Sequence, residues 1–256
     1  SERPASSISL GWNLKKYRFY SAILVTLLPP LFSIGIPFSW FILNFDQIGK
    51  GFTIELLNLT FRTISLGLLT ALITILFSLI LTLASRQNNN LIMRFIIFPA
   101  GIGYAIPGTV LAISLISISN SKFHFVAIFL LIWGYIVRFL TISKGSIDSG
   151  LERIPPSIDE AANGLGSNWF GVIKNILIPL LKGPILVGSL LVFVDTVKEL
   201  PITFILRPFD FDTLSVRIYQ YAGDERLAEA ILPAMFITIL GLIASIALIP
   251  SLEKKN

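Results

Sequence analysis

Cysteine is absent from this chain of 256 residues, and histidine occurs only once, as His124. The absence of cysteine excludes disulfides, thiolate metal sites and cysteine nucleophiles. A lone histidine beside an apolar run is expected to be a solvated side chain rather than a ligand. The residues therefore predict no metal site.

Charged residues are also scarce, at 14% of the chain, whereas 54% of the residues are hydrophobic and the mean hydropathy is +0.80. A soluble domain of this length needs more charge to cover its surface. The formal net charge of +5 is small. The positive charge is better explained by an unequal distribution of basic residues between the two sides of a membrane than by a nucleic-acid-binding surface. No nucleic acid partner is therefore expected.

The motifs of several enzyme classes are missing as well. The sequence has no G-x-x-x-x-G-K-[ST] stretch and no H-E-x-x-H stretch, which argues against ATP binding and against a zinc protease. No convincing nucleophile and base pair is present either. We predict a chain that is not an enzyme and binds no cofactor, which leaves a transporter, a channel or a receptor.

Long apolar runs dominate what is present. An apolar helix of about 20 residues crosses a hydrocarbon core, and in lipid each run must be helical because unpaired backbone groups are too costly there. We predict an all-α, polytopic membrane protein with a transmembrane domain over residues 19–250. Its six spans are roughly Phe19–Phe45, Thr60–Ser85, Leu91–Ser119, Phe123–Leu140, Ile176–Val197 and Glu229–Pro250.

The lysines and arginines predict the orientation. With the N-terminus inside, 13 of the 20 basic residues fall on the inner side and 7 on the outer side. This asymmetry places both termini in the cytoplasm. Residues 1–18 are then a cytoplasmic tail or a linker, and residues 251–256 are a cytoplasmic tail. The polar segment Thr141–Asn175 is cytoplasmic, and Lys198–Ala228 is extracytoplasmic.

The cytoplasmic segment carries helix signals outside the lipid. Ser157 and Glu160 fit a capping box, and Ile158, Ala162 and Leu165 share a helical face with Ala161. Gly164 and Gly166 permit a left-handed turn that ends this helix. Ser167 or Asn168 can cap a second helix that leads into the fifth span. The apolar face fits either an interfacial amphipathic helix or a protein-binding segment.

The same segment resembles the EAA loop of ABC importer permeases. The family pattern is Glu-Ala-Ala, three residues, Gly, nine residues and Ile-x-Leu-Pro, with Ile178 here in place of the usual leucine. The resemblance implies a type I ABC importer transmembrane domain whose coupling loop, about 155–175, docks on the ATPase. It assigns ATPase coupling to Ser157, Glu160, Ala161, Ala162, Gly166, Ile176 and Pro179. For Glu160, a capping role and a contact with the ATPase are compatible.

Further segments resemble ferric-iron permeases. These are "YAIPGTVLAISL" (104–115), "YIVRFL" (135–140) and "VKELPITFILRPFDFDTLSVRIYQYAGDERLAEAILPA" (197–234). Related thiamine, polyamine, sulfate and molybdate permeases share the EAA loop but match the last run less well. The chain resembles the C-terminal half of a two-half permease, and its opening "SERPASSIS" resembles the linker between halves.

The resemblance implies a function and a set of partners. The expected function is import of ferric iron across a bacterial inner membrane. The expected partners are an extracytoplasmic binding protein, an ABC ATPase dimer that holds ATP and Mg, and a second permease half, fused or homodimeric. The alternatives are the same kind of permease for thiamine, a polyamine, sulfate or molybdate, and a channel-like membrane protein.

Two carboxylates at the outer end of the fifth span admit two interpretations. Asp195 and Glu199 lie one turn apart with Lys198 between them. Ionisable groups at membrane depth are functional candidates, and carboxylate oxygens suit a hard cation, so both residues are candidates for the translocation path. Alternatively, the three side chains form a local ion-pair cluster that reaches the interface.

Overall fold

The computed structural model describes residues 14–45, 52–88, 90–118 and 124–253. These residues form helices and no strand, which confirms the predicted all-α class. Packing divides the chain into two units, Ser1–Asp46 and Gln47–Asn256. Most of the predicted N-terminal tail, residues 1–13, and residues 254–256 of the C-terminal tail lie outside the described ranges.

In the first unit, the described residues form the apolar helix α1 over Tyr17–Leu43. It is long and apolar enough to cross a membrane, and none of its residues is buried. Pro29, Pro30 and Pro37 lie inside it. Each proline removes a backbone donor, which membrane helices tolerate when other groups satisfy the freed carbonyls. The helix agrees with the predicted first span, Phe19–Phe45, to within two residues at each end.

The second unit is a helical bundle with short helices at both ends. Its described helices are α2 (Ile54–Gln87), α3 (Leu91–Ile102), α4 (Gly108–Ile118), α5 (His124–Leu151), α6 (Ser157–Gly164), α7 (Trp169–Leu180), α8 (Lys182–Lys198), α9 (Pro201–Leu206), α10 (Leu214–Gly223) and α11 (Leu227–Glu253).

Three of these helices, α2, α5 and α8, pack against one another as the centre of the bundle, and α11 packs on α8 and α10. One apolar cluster surrounds Tyr135 and Phe139, and a second, which we call the loop-end cluster, surrounds Ile147 and Leu177. Helix α2 contributes a row of buried hydroxyl residues, Thr63, Thr70, Thr74, Ser78 and Thr82. Small residues let helices approach closely, which is how membrane helices associate without a hydrophobic driving force.

The two ends of the bundle differ. At the end that we call the loop end, the last turns of α2 and α5 meet α6 and α7. At the opposite end, called the far end, the start of α2 meets α10, where Arg217 contacts Glu55, and Arg62 of α2 donates to the carbonyl of Asp210 in the segment between α9 and α10. Within the second unit, the loop helices α6 and α7, predicted to be cytoplasmic, and the segment around α10, predicted to be extracytoplasmic, thus lie at opposite ends. Which end faces the cytoplasm stays a prediction.

The predicted third span, Leu91–Ser119, is wrong as one continuous helix. It is divided into α3 and α4 by the segment 103–107. Pro107 cannot donate a backbone hydrogen bond. Gly103 approaches α5 so closely that a Cβ there would lie 1.9 Å from the carbonyl oxygen of Val137. A break at this depth requires donors for the carbonyls that it frees.

Helix α5 supplies those donors. The hydroxyl of Thr141 donates to the carbonyl of Ala100 at 2.6 Å, and Nη1 of Arg138 donates to the carbonyl of Ile106 at 3.0 Å. The guanidinium of Arg138 also lies over the ring of Tyr104, 5.6 Å from its centroid. The break is therefore held by specific side chains of a neighbouring span.

The predicted fifth span, Ile176–Val197, is wrong as one straight helix. Helices α7 and α8 meet at Leu181 with a bend of 70°. Pro179 and Pro184 flank the bend, and each lacks the N–H that a continuous helix would use. A π-helical turn over Ile173–Leu177 precedes it.

Four described helices are long and apolar enough to cross a membrane, namely Tyr17–Leu43, Ile54–Gln87, Val126–Leu151 and Leu227–Ile249. The bent pair α7–α8 adds a fifth if it counts as one span, and α3 and α4 are each shorter apolar helices. A broken third span would complete the predicted six. The count of six therefore stays a prediction.

Candidate functional site

The loop between α5 and α7 contains the helix that the sequence predicted, but the first turn of this helix lacks the predicted side-chain cap. Helix α6 begins at Ser157, after Pro156, with no side-chain cap. The amide of Glu160, which Ser157 was expected to bind, donates instead to the carbonyl of Pro156 at 3.3 Å. The predicted capping box is therefore wrong, because Pro156 already has helical φ and ψ and begins the turn one residue earlier.

The end of α6 follows the prediction at Gly166. This residue has φ +86°, while Gly164 remains inside the helix. The amide of Ser167 donates to the carbonyl of Ala162 at 3.0 Å, and the amide of Gly166 donates to that of Asn163 at 2.9 Å. These two bonds form a Schellman motif, in which a left-handed residue satisfies the last carbonyls of a helix.

The second loop helix is capped by Asn168, whose side-chain oxygen accepts from the amide of Gly171 at 2.8 Å. Of the two caps considered from the sequence, Asn168 is the one used. Farther along α7, Ile176 is half-buried against the loop-end cluster, whereas Pro179 is exposed just before the bend. The last two residues of the EAA-type pattern therefore shape the entry into α8.

The two faces of α6 differ in exposure. Ala162 is buried and Ile158 is half-buried in the loop-end cluster, which also contains Leu83. The predicted four-residue apolar face is only partly correct, because Ala161 is exposed and Leu165 is 89% exposed. The surface turned away from the bundle, which we call the outer face of the loop, contains Ser157, Glu160, Ala161, Leu165 and Phe170. It combines one carboxylate, small residues and two large apolar side chains.

A residue that sequence reasoning missed connects this loop to the bundle. Nε of Arg86, in the last turn of α2, donates to Oδ2 of Asp159 at 2.6 Å. The same guanidinium donates to the carbonyls of Leu151, Ile154 and Pro155 at 3.4, 3.0 and 3.3 Å. The available signal was a single arginine at the end of an apolar span. Its partners lie 65–73 residues away, so spacing could not identify them.

The two candidate path carboxylates have different partners. Asp195 pairs with Lys198 at 2.7 Å, whereas Glu199 lies 3.7 Å from Nε of Arg138. The Glu199 carboxylate also accepts from the amide of Ile202 at 3.3 Å, at the start of α9. The local ion-pair cluster of the second interpretation thus separates into two pairs, and only the Asp195 pair involves Lys198.

The backbone of Glu199 is equally engaged. Its carbonyl accepts from the hydroxyl of Thr203 at 2.7 Å and from that of Ser215 at 2.8 Å. Thr203 in turn hydrogen-bonds the hydroxyl of Tyr135 on α5. Glu199 is 8% exposed and joins α9, α10 and the centre of α5. These contacts favour a structural role for Glu199.

The far end carries a group of ion pairs. Arg207 pairs with Asp212, and Arg217 pairs with Asp212 at 3.3 Å and with Glu55 at 2.6 Å. Burial lowers the pKa of Arg207, and the nearby charge of Arg217 lowers it further.

Arg207, Arg217 and Arg226 line an open concavity of about 530 Å³ together with Tyr219 and Tyr221 among others. Among the described residues, no group of three or more histidine and carboxylate side chains is placed to hold a metal ion.

Residues 74–255 match the family described as "Binding-protein-dependent transport system inner membrane component". The chain belongs to this family. It is therefore an inner-membrane component of a binding-protein-dependent transport system, and the resemblance to ABC importer permeases is confirmed. The matched range includes the whole EAA-type loop and both candidate path carboxylates.

Curated relatives of this permease carry iron-transport names. It is 25% identical over 239 residues to the Fe(3+)-transport system permease protein FbpB 2 of Haemophilus influenzae, which covers 91% of this chain and 46% of that protein. It is 32% identical over 95 residues to the ferric transport system permease protein FbpB of Actinobacillus pleuropneumoniae, covering 37% of this chain and 14% of that protein. The permease thus spans less than half the length of either relative.

Solved structures show the fold. The permease superposes on a chain of a bacterial alginate ABC transporter in complex with an alginate pentasaccharide-bound periplasmic protein, with a TM-score of 0.66 at 14% identity. The match covers 91% of this chain and 92% of that chain. A second bacterial ABC transporter that imports alginate gives a TM-score of 0.65 at 16% identity and covers 93% of this chain and 96% of that chain. The predicted fold of an ABC importer permease is confirmed.

Proposed function

We propose that the chain is the transmembrane permease part, or one half of it, of an ABC importer that moves ferric iron across a bacterial inner membrane. The observation that carries this proposal is the geometry of the loop helix α6. Its inner face is fixed to the bundle, and its outer face presents Glu160, Ala161 and Leu165. Such a helix fits a groove of a partner protein.

That partner is an ABC ATPase dimer, which holds ATP and Mg and performs the hydrolysis. Ala161 permits close approach, and Glu160 is available for a polar contact because it does not cap the helix. Leu165 and Phe170, 89% and 71% exposed, supply apolar area. Exposed apolar patches of this kind mark interaction sites.

Transport follows by alternating access. ATP binding closes the ATPase dimer and brings together the coupling loops of two permease halves, fused or homodimeric. The helix bundle then swings from inward-open to outward-open as a rigid body. An extracytoplasmic binding protein delivers the ion at the far end. The ferric-iron relatives support iron as the substrate, ahead of thiamine, polyamines, sulfate or molybdate.

The orientation that this mechanism needs can be tested directly, because the chain contains no cysteine. The 13 to 7 basic asymmetry places the loop end and both termini in the cytoplasm. A single cysteine at Asn163, exposed on α6, is expected to resist a membrane-impermeant thiol reagent in intact cells. A single cysteine at Phe209, 94% exposed at the far end, is expected to react.

Permeabilised cells provide the control, since both cysteines should react there. Labelling of Asn163→Cys in intact cells, with Phe209→Cys protected, would reverse the orientation. The loop would then face away from any ATPase, and the proposed coupling would be wrong.

A further inference from the structure

The hydrophobic attachment of α6 to the bundle is small. The helix has eight residues, of which Ala162 is buried and Ile158 is half-buried, and most of the rest are exposed. A partner that moves this helix acts on a segment with little apolar contact of its own. Other contacts must therefore carry the displacement into the spans.

Arg86 makes contacts that can carry movement of α6 into the spans. Its guanidinium lies between the end of α2, the end of α5 and the first turn of α6, and its side chain is 10% exposed. Three of its acceptors are the carbonyls of residues 151, 154 and 155, just where the regular hydrogen bonding of α5 ends. The fourth is the carboxylate of Asp159, which is 14% exposed. Only arginine offers a planar fork with enough donors for such a set.

The last turns of α2, which carry Arg86, are also hydrogen-bonded directly to α5. One turn before Arg86, the hydroxyl of Thr82 donates to Oδ1 of Asp148 at 2.6 Å. Oδ2 of Asp148 pairs with Lys144 at 2.5 Å. Residues four apart on a helix share a face. Thr82 and Arg86 therefore contact α5 and the loop from the same side of α2. The two contacts join α2, α5 and α6 at consecutive turns.

We propose that Arg86 is the positioning residue that transmits movement of the coupling helix α6 to the transmembrane helices α2 and α5. This inference rests on the proposed function, because it takes α6 as the ATPase-docking element. Arg86 does not touch the substrate or the ATPase in this assignment. It makes the loop and the two spans move together, so that ATP hydrolysis is converted into opening and closing of the bundle.

The test uses the complete importer, with its ATPase and binding protein, reconstituted in lipid vesicles. Uptake of radioactive ferric iron and ATP hydrolysis are measured in the same vesicles. Arg86→Ala is expected to assemble with the ATPase and hydrolyse ATP, while the iron taken up per ATP falls by about tenfold. Arg153→Ala is the matched control, because Arg153 is an exposed arginine of the same loop, and it should keep the wild-type ratio.

Arg86→Lys separates coupling from folding. Lysine keeps the charge opposite Asp159 but lacks the fork that binds three carbonyls, so we expect normal assembly and an intermediate ratio of uptake to hydrolysis. A wild-type ratio in Arg86→Ala would overturn the proposal. If Arg86→Ala does not assemble, a wild-type ratio in Arg86→Lys overturns it instead. A wild-type chain that binds no ATPase contradicts the proposed function itself, independently of any Arg86 variant.

Discussion

Substitution of Gly166 by valine is expected to abolish transport while leaving the permease in the membrane. Gly166 has φ +86°, and an added Cβ would meet no atom within 4 Å. The cost is therefore backbone strain rather than a clash. A left-handed conformation costs an ordinary L-residue about 1–2 kcal/mol, and a β-branched residue is a genuine outlier there.

The strain is most easily relieved by rearranging the loop. Undoing the turn would break the Schellman hydrogen bonds of Ser167 and Gly166 and would displace Leu165 and Phe170 from the outer face. The docking on the ATPase that we propose depends on that surface, so co-purification of the ATPase and iron uptake should be lost together. Both are measurable with the reconstituted importer.

Two matched variants isolate the cause. Gly164→Ala adds a Cβ in open space within the regular helix α6 and should be silent. Gly166→Asn should retain most activity, because asparagine tolerates the left-handed region. Normal transport by Gly166→Val would show that the loop is an interfacial segment rather than a coupling element.

The second large effect is expected from Glu199→Gln, which should reduce the stability of the folded permease. The change leaves Arg138 without its carboxylate in a site where Glu199 is 8% exposed. Removing one partner of a buried ion pair costs about 3–5 kcal/mol. Asp195→Asn should be nearly neutral, because its partner Lys198 is 62% exposed and pairs near the surface contribute about 0–1 kcal/mol.

The companion change Arg138→Gln tests whether the loss is structural. It removes the guanidinium charge that Glu199→Gln leaves without its carboxylate. Thermal unfolding in detergent and iron uptake in vesicles are the two readouts. We expect the double variant to regain stability and transport. A double variant that is stable and binds its ATPase, yet takes up no iron, would instead place the Glu199 carboxylate in the translocation path.

The sequence predicted the parts of this fold that depend on local chemistry. The helix α1 agrees with its apolar run to within two residues, and the left-handed turn lies at Gly166. Both follow from composition and backbone preference over a few neighbouring residues. The capping box failed for a local reason too, since Pro156 took the position before the helix that Ser157 was expected to hold.

The remaining features depend on partners that are distant in the chain. The third span contains Pro107 and Gly103, but the break there also needs Arg138 and Thr141 of α5 as donors to the carbonyls of Ile106 and Ala100. One of the two interpretations paired Glu199 with its neighbour Lys198, whereas its partner Arg138 lies 61 residues earlier. Short-range patterns carry no information about such pairs. An arginine within or at the end of an apolar span was the one signal for both Arg86 and Arg138.

The central claim is that this chain is the membrane part through which an ATPase drives import of ferric iron. Its most direct test is uptake of radioactive ferric iron into vesicles that contain the full-length permease and its ATPase, with the loaded binding protein on the far-end side. Uptake should require ATP, should require the binding protein, and should not occur when iron is replaced by thiamine, a polyamine, sulfate or molybdate. Iron uptake that is unchanged without ATP, or ATP-driven uptake of one of those compounds instead, would contradict the account.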